Sequence, residues 1–292
     1  MQAAELEDAV VTLLRLAVTD LPKDVTSGLE QALKKERNLT AQNQLEAILE
    51  NIALARKHSI PMCQDTGIQI FYVTVGSDFP LLGEIPRILE NAVRRGTQEI
   101  PLRPNTVNPI EHKNPGDNTG LHIPWINWKI VNGADMQITA FPKGGGSENV
   151  CQLKMLTPGQ GMKGMKQFVV DAIIEAGAKP CPPTIVGIGI GGGADICMKL
   201  AKEQLLRPVG QRHSNPKIAQ METELLAAIN STGIGPMGLG GDTTSLDVHI
   251  EVAMRHPASF PVGLAIQCWA ARRASARISK EGHIEFTSHR VE

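Results

Sequence analysis

The feature that most constrains this chain is where it places glycine and proline. They recur beside chemically active side chains in PMCQDTG (61–67), RPNTV (103–107), NPGDNTG (114–120), FPKGGGSEN (141–149), PCPPTIVGIGIGGGAD (180–195), GIGPMGLGGDTT (233–244) and RHPAS (255–259). Loops of this composition commonly line a site. Glycine lets the backbone approach a ligand and offers unobstructed N–H donors to anionic oxygens, so the pattern points to a small anionic ligand. Each glycine also has a plain reading as a tight turn.

Between these loops the periodicity alternates. The first sixty residues read as helices, with Leu6, Val10, Leu13, Leu14 and Ala17 on one face. Ser27 and Glu30 have capping-box spacing, and Thr40 is placed to cap a helix burying Leu45, Ile48, Leu49 and Ile52. Ile68 to Val75 reads as a strand, followed by a helix opening at Pro86 and closing at Gly96. Residues 101–120 read as turns. Strands over 123–131 and 136–141 flank Asn132-Gly133, a hairpin signal. A helix over 162–176 stops at Gly177, a buried strand over 184–190 leads to a further helix, and Asn215-Pro216 opens another. Strands return over 246–254 and 260–269. The expectation is an α/β fold of mixed helices and sheets with a helical N-terminal segment. One domain over 1–292 is expected, with two lobes (1–58 and 59–292) as the alternative division, because no repeat or low-complexity linker marks a boundary.

Composition removes several function classes. With 29 basic against 30 acidic residues, the chain lacks the electrostatic bias of a nucleic-acid binder. No apolar run approaches the roughly 18 residues of a membrane span, and the acidic start does not resemble a signal peptide. The five cysteines are odd in number and without a CxxC pair. That argues against a disulfide framework and for a reducing cytoplasm in which thiols can bind metal.

Residues 187–192 satisfy GxGxxG, but no acidic strand end follows about 20 residues on, so a dinucleotide site is a weak reading. Cys151 and Cys197, in helical contexts, read as small buried apolar residues. Cys63, Cys181 and Cys268 stand at element ends, where thiolates can project into a cleft. Three thiolates without histidine partners suit iron-sulfur coordination better than structural zinc.

From Cys63-Gln-Asp-Thr-Gly67 through Cys268-Trp-Ala270, with cysteine intervals of 118 (181 − 63) and 87 (268 − 181), the chain resembles the iron-sulfur-dependent class I fumarate hydratase family. It is most similar to the alpha subunit of the two-subunit form, with the L-tartrate dehydratase alpha subunit as a close relative. The resemblance implies a hydro-lyase that interconverts fumarate and L-malate. It implies a 4Fe-4S cluster held by Cys63, Cys181 and Cys268, with one iron not ligated by protein. It further implies that Gln64, Arg103, Gly145 and Gly146 bind substrate and that Asp65 and His256 handle protons. Fused relatives carry an additional C-terminal domain, so a separate beta subunit and an alpha2-beta2 heterotetramer are expected. Plainer readings stand beside these: Asp65 as a turn former, Arg103 as a surface ion pair, His256 as a buried structural histidine. L-tartrate dehydration is the alternative activity, and a dinucleotide-binding or cluster-carrier protein the alternative class.

Overall fold

The computed structural model describes residues 2–290. The first half of the chain forms α1 (Ala3–Thr19), α2 (Lys23–Lys35), α3 (Leu39–His58), β1 (Ile68–Gly76), α4 (Ile85–Glu99), β2 (Trp125–Val131), β3 (Met136–Lys143) and the single turn α5 (Gly145–Glu148). The second half forms β4 (Gln152–Leu156), α6 (Gly161–Ala176), β5 (Thr184–Gly192), α7 (Ala194–Gln204), α8 (Pro216–Asn230), β6 (Ser245–Arg255), β7 (Phe260–Gln267), β8 (Ala274–Ile278) and β9 (Ile284–Phe286). The fold is α/β, and the N-terminal segment is helical, as the periodicity predicts. Two compact units are interleaved in sequence. The first takes the described residues up to Lys23, Glu50–Gly145 and the described residues from Arg272 on; the second takes Asp24–Leu49 and Gly146–Ala271.

The first unit is built on a five-stranded sheet in the order β2-β1-β3-β8-β9. Leu6, Val10, Leu13, Leu14 and Ala17 of α1 and Ile88, Leu89 and Ala92 of α4 bury against Phe71, Val73, Val75 and Ile138. The expected hairpin over 123–141 does not form. β1 lies between β2 and β3, parallel to one and antiparallel to the other. The connector passes over the end of β1 instead: the Asp78 backbone amide donates to the Gly133 carbonyl at 2.9 Å, and a Cβ on Gly76 would stand 2.1 Å from that same oxygen. Asn132-Gly133 is therefore a turn, but a crossing one. Gly96 does not stop α4, which continues to Glu99. It lies within the helix, where a Cβ would meet Leu14 at 3.1 Å. The tail holds strand β8, whose Ala274, Ala276 and Ile278 are buried beside β3.

In the second unit the sheet order is β4-β7-β5-β6, with β5 and β6 parallel and β7 antiparallel to β5. Val186, Ile188, Val248, Ile250, Val262 and Leu264 form its core with α6 and α8. Asn215 caps α8 by accepting from the Lys217 amide, and Gly177 ends α6 with φ +52°. Two capping expectations fail. Ser27 lies inside α2, and Asn38, rather than Thr40, accepts from the first amides of α3 at 2.9 and 3.2 Å.

The GxGxxG stretch lies within β5, not after it. A Cβ at Gly187 would stand 2.1 Å from the Ala201 carbonyl oxygen, and one at Gly189 2.0 Å from that of Cys197. These glycines let α7 rest directly on the strand, which accounts for the motif as packing. Gly189→Ala must push α7 off the sheet, so a loss of about 1–3 kcal/mol or more is expected, read as a lower denaturation midpoint.

Candidate functional site

The turn after α3 is fastened immediately before Cys63. The Met62 amide donates to Val18 O at 2.9 Å and Asn51 Nδ2 to Met62 O at 2.8 Å. Cys63 is half-exposed and Gln64 exposed. Asp65 then turns inward. Its Oδ1 accepts from the Gly67 amide at 2.9 Å and from Asn105 Nδ2 at 3.3 Å, and its Oδ2 accepts from the Gly145 amide at 2.7 Å. Gly67 has φ +79°, and a Cβ there would lie 2.7 Å from the Pro142 carbonyl carbon, so this close approach requires glycine.

The Arg103 loop is joined to the same turn. Thr66 Oγ1 and Asn118 Nδ2 both donate to Arg103 O at 3.2 Å, while buried Asn118 accepts from the Asn105 amide at 2.7 Å. With its main chain thus held, Arg103 presents an exposed guanidinium, whose planar fork matches a carboxylate. Arg272, 1% exposed, donates through Nη1 to the Asp65 carbonyl oxygen.

The second unit brings two cysteines together. β5 begins just after Cys181 and antiparallel β7 ends just before Cys268, with Ile185 opposite Gln267. Both thiols therefore belong to one end of the sheet. The Trp269 amide donates to Cys181 O at 3.1 Å. Cys181 has φ +53°, a left-handed conformation costly for a residue with a Cβ. Gly146 abuts the Lys179 carbonyl, and both line a cavity of about 530 Å³ with Asn149, Gln152 and Glu175.

His256 is elsewhere. It follows β6, which runs parallel to β5 and pairs Arg255 with Gly192, so it lies at the opposite end from Cys181 and Cys268. Strand rise over β5 makes that separation about 25 Å. Its ring Nδ1 accepts from the Ala258 amide at 3.1 Å and shapes an exposed turn. The structure does not bring His256 to the two thiols of its own unit. Gly145 also differs from expectation: its amide, expected to serve substrate, is given to Asp65.

The fumarate hydratase (Fumerase) family model matches residues 7–277. The chain belongs to the fumarate hydratase family. It is accordingly a hydro-lyase. Among similar proteins, the putative L(+)-tartrate dehydratase subunit alpha of Methanocaldococcus jannaschii is 50% identical over 285 residues, covering 96% of this chain and 100% of that protein. The L(+)-tartrate dehydratase subunit alpha of Escherichia coli K12 is 37% identical over 286 residues, 98% of this chain and 94% of that one. The Shigella sonnei protein of the same name matches equally well.

Asn105 and Arg272 are the residues that sequence reasoning passed over for this site. Asn105 lies two positions after Arg103 in the stretch already singled out; Arg272 gives no local signal of its contact with Asp65. Among the remaining thiols, Cys197 is buried and its pKa is raised by desolvation, whereas Cys151 is half-buried with Sγ 3.4 Å from Ser147 O. All five cysteines are outside disulfides. Among the described residues no three His, Cys, Asp or Glu side chains converge on a point as one metal ion requires. An iron-sulfur cube makes a different demand, because each thiolate serves its own iron. Cys63, Cys181 and Cys268 fit that donor set: soft ligands, partly exposed, each in a turn at an element end.

Proposed function

We propose that this chain is the alpha subunit of an iron-sulfur hydro-lyase that adds water reversibly to fumarate, giving L-malate, with a separate beta subunit completing the site. The observation that carries this reading is the placement of the thiols within each unit: in the second, Cys181 and Cys268 share one strand end, tied by Trp269 N–H to Cys181 O, and in the first, Cys63 heads the turn that carries Asp65. Family membership and the relatives' alpha-subunit names support it. Cys63, Cys181 and Cys268 would hold a 4Fe-4S cluster. When bound, a cluster with one iron lacking a protein thiolate supplies a Lewis acid toward substrate oxygens.

The chain's own residues do the rest. Arg103 binds a substrate carboxylate, and Gln64, exposed beside Cys63, donates a hydrogen bond to a substrate oxygen. Asp65 Oδ1 carries two donors and Oδ2 one, so Oδ2 keeps the acceptor capacity to hold a substrate hydroxyl proton. Gly145 keeps that oxygen in place, and Gly146 extends the loop along the cavity. The base that removes the carbon-bound proton comes from the beta subunit. An alpha2-beta2 assembly in a reducing cytoplasm suits thiolate ligands, and no helix among the described residues is long and apolar enough to cross a membrane.

L-tartrate dehydration is the second reading, favoured by the names of the relatives. An anaerobically reconstituted two-chain complex should turn over fumarate and L-malate faster than any tartrate isomer; a strong preference for L-tartrate replaces the first reading with the second.

A further inference from the structure

The sheet of the first unit has an unguarded edge. β2 ends the order β2-β1-β3-β8-β9, so among the described residues β1 is the one strand paired with it. The Val131 carbonyl accepts from the Ser77 amide at 2.9 Å, which turns the Val131 backbone toward β1. In a parallel ladder alternate residues do the same, so the N–H and C=O groups of Ile126, Trp128 and Ile130 point outward. Sheet edges are commonly protected by proline, a bulge or charges. β2 reads Trp-Ile-Asn-Trp-Lys-Ile-Val, with no proline, no break in its register with β1 and a single charge. Its apolar side chains are also left uncovered. Ile126, Trp128 and Ile130 stand beside Phe71, Val73 and Val75 on the core face of the sheet, yet Trp128 is 37% and Ile130 65% exposed. On the other face Trp125 is 51% exposed.

We propose that this edge binds the same edge of a second copy of the chain, the two β2 strands lying antiparallel across a two-fold axis at Trp128. That makes β2 the alpha–alpha contact of the alpha2-beta2 assembly, and the inference rests on that assembly. A two-fold contact must be self-complementary, and this strand is. Centred on Trp128, every residue finds a mate: Trp128 meets its own copy, Ile126 meets Ile130, Trp125 meets Val131, and Lys129 meets Asn127. Any other centre leaves part of the strand unmated, and a centre at Lys129 sets like charges against each other, which destabilises a pair. The outward backbone groups match too. Ile126, Trp128 and Ile130 mate among themselves, and directly opposed antiparallel residues of that kind exchange both of their hydrogen bonds. A strand from the beta subunit has no use for this symmetry, which is why a second copy is the occupant.

Sedimentation velocity of the full chain with its beta subunit tests this by mass. The unaltered complex should hold two copies of each chain, and Trp128→Glu, which opposes two carboxylates on the axis, should halve the mass to one copy of each. If circular dichroism shows that Trp128→Glu does not fold, Ile130→Glu, at a more exposed position, carries the same expectation. Cross-linking reads the register. With oxidised glutathione as the disulfide oxidant, Trp128→Cys should give a band of twice the chain mass on a non-reducing gel beyond any formed by the unaltered protein. Ile130→Cys should not, because its mate is Ile126 and its own copy lies several residues along the strand. A folded Trp128→Glu complex of undiminished mass overturns the proposal, as does loss of the beta subunit with the alpha pair intact, or cross-linking through position 130 but not 128. An unaltered complex with one copy of each chain refutes the assembly reading itself, and absence of turnover, which these readouts do not use, refutes the hydro-lyase substrate reading alone.

Discussion

Cys181→Ser protein, reconstituted anaerobically with its partner chain, is expected to hold iron and sulfide at background level and to lose hydratase activity by at least about a hundredfold. Loss of a supporting outer-shell contact alone commonly costs 10–100-fold in metal affinity or activity, and a ligand should cost no less. The hydroxyl of serine is a harder donor than a thiolate and does not replace it on iron. The fold should survive, because Cys181 is only half-buried and the Trp269 amide bonds to its carbonyl rather than its side chain. Cys197→Ser is the control. That thiol is buried, and desolvation raises its pKa, so it is poorly suited to ligate as thiolate, and the variant should keep a full complement of iron. Equal iron in both variants would remove Cys181 from the ligand set.

How much of this could be read in the sequence depended on how local the cause was. α1 was legible because its apolar residues repeat with the helical period, and the end of α6 because Gly177 takes a left-handed conformation that the residue type itself announces. Asn215 could be named as a cap because its short side chain, just before Pro216, accepts from a first-turn amide. The insertion of β1 between β2 and β3 could not, since Asn132-Gly133 specifies a turn and not which strand its flanks will pair with. Non-local partners decided that, through the Gly76–Gly133 crossing.

The candidate site divides along the same line. Cys181 and Cys268 were marked by their positions at element ends, and antiparallel pairing of β5 with β7 then fixes a common end. His256 was named by the resemblance alone, and the parallel direction of β6 carries it to the other end of that sheet; a motif alone does not encode strand direction. Asn105 and Arg272 reach Asp65 across 40 and 207 residues. No spacing rule spans such distances, and a buried arginine in a polar tail looks like any surface arginine until its burial is known.

The largest stability effect is expected at Glu222, in a buried ionic network no motif marks. Its side chain is fully buried. One oxygen accepts from the Ile250 amide at 2.9 Å and pairs with Arg207; the other accepts from the His213 amide at 2.9 Å and stands 3.7 Å from Arg212. Arg212 in turn pairs with buried Asp247, whose second oxygen lies 3.1 Å from His249 Nε2. This one carboxylate thus fastens the segment between α7 and α8 to β6. Glu222→Ala leaves Arg207 with its charge uncompensated, and the buried Ile250 amide and the half-buried His213 amide without acceptors, for which a loss of about 3–5 kcal/mol is expected, measured by chemical denaturation at neutral pH. Glu224→Ala, two residues on and paired with Lys166 at the surface, should change little, because exposed ion pairs are screened. The network also has a pH signature. Burial alone would raise the Asp247 pKa, but His249, the Gly210 amide and Arg212 outweigh it and hold the group below its ordinary 3.8. A depressed folded-state pKa contributes stability that is complete above the unfolded value and is lost as pH falls through the folded one. Asp247→Asn should therefore lower stability at neutral pH and flatten its decline in acid below about pH 4. An Asp247→Asn protein with an unaltered acid limb would show that another carboxylate governs acid unfolding.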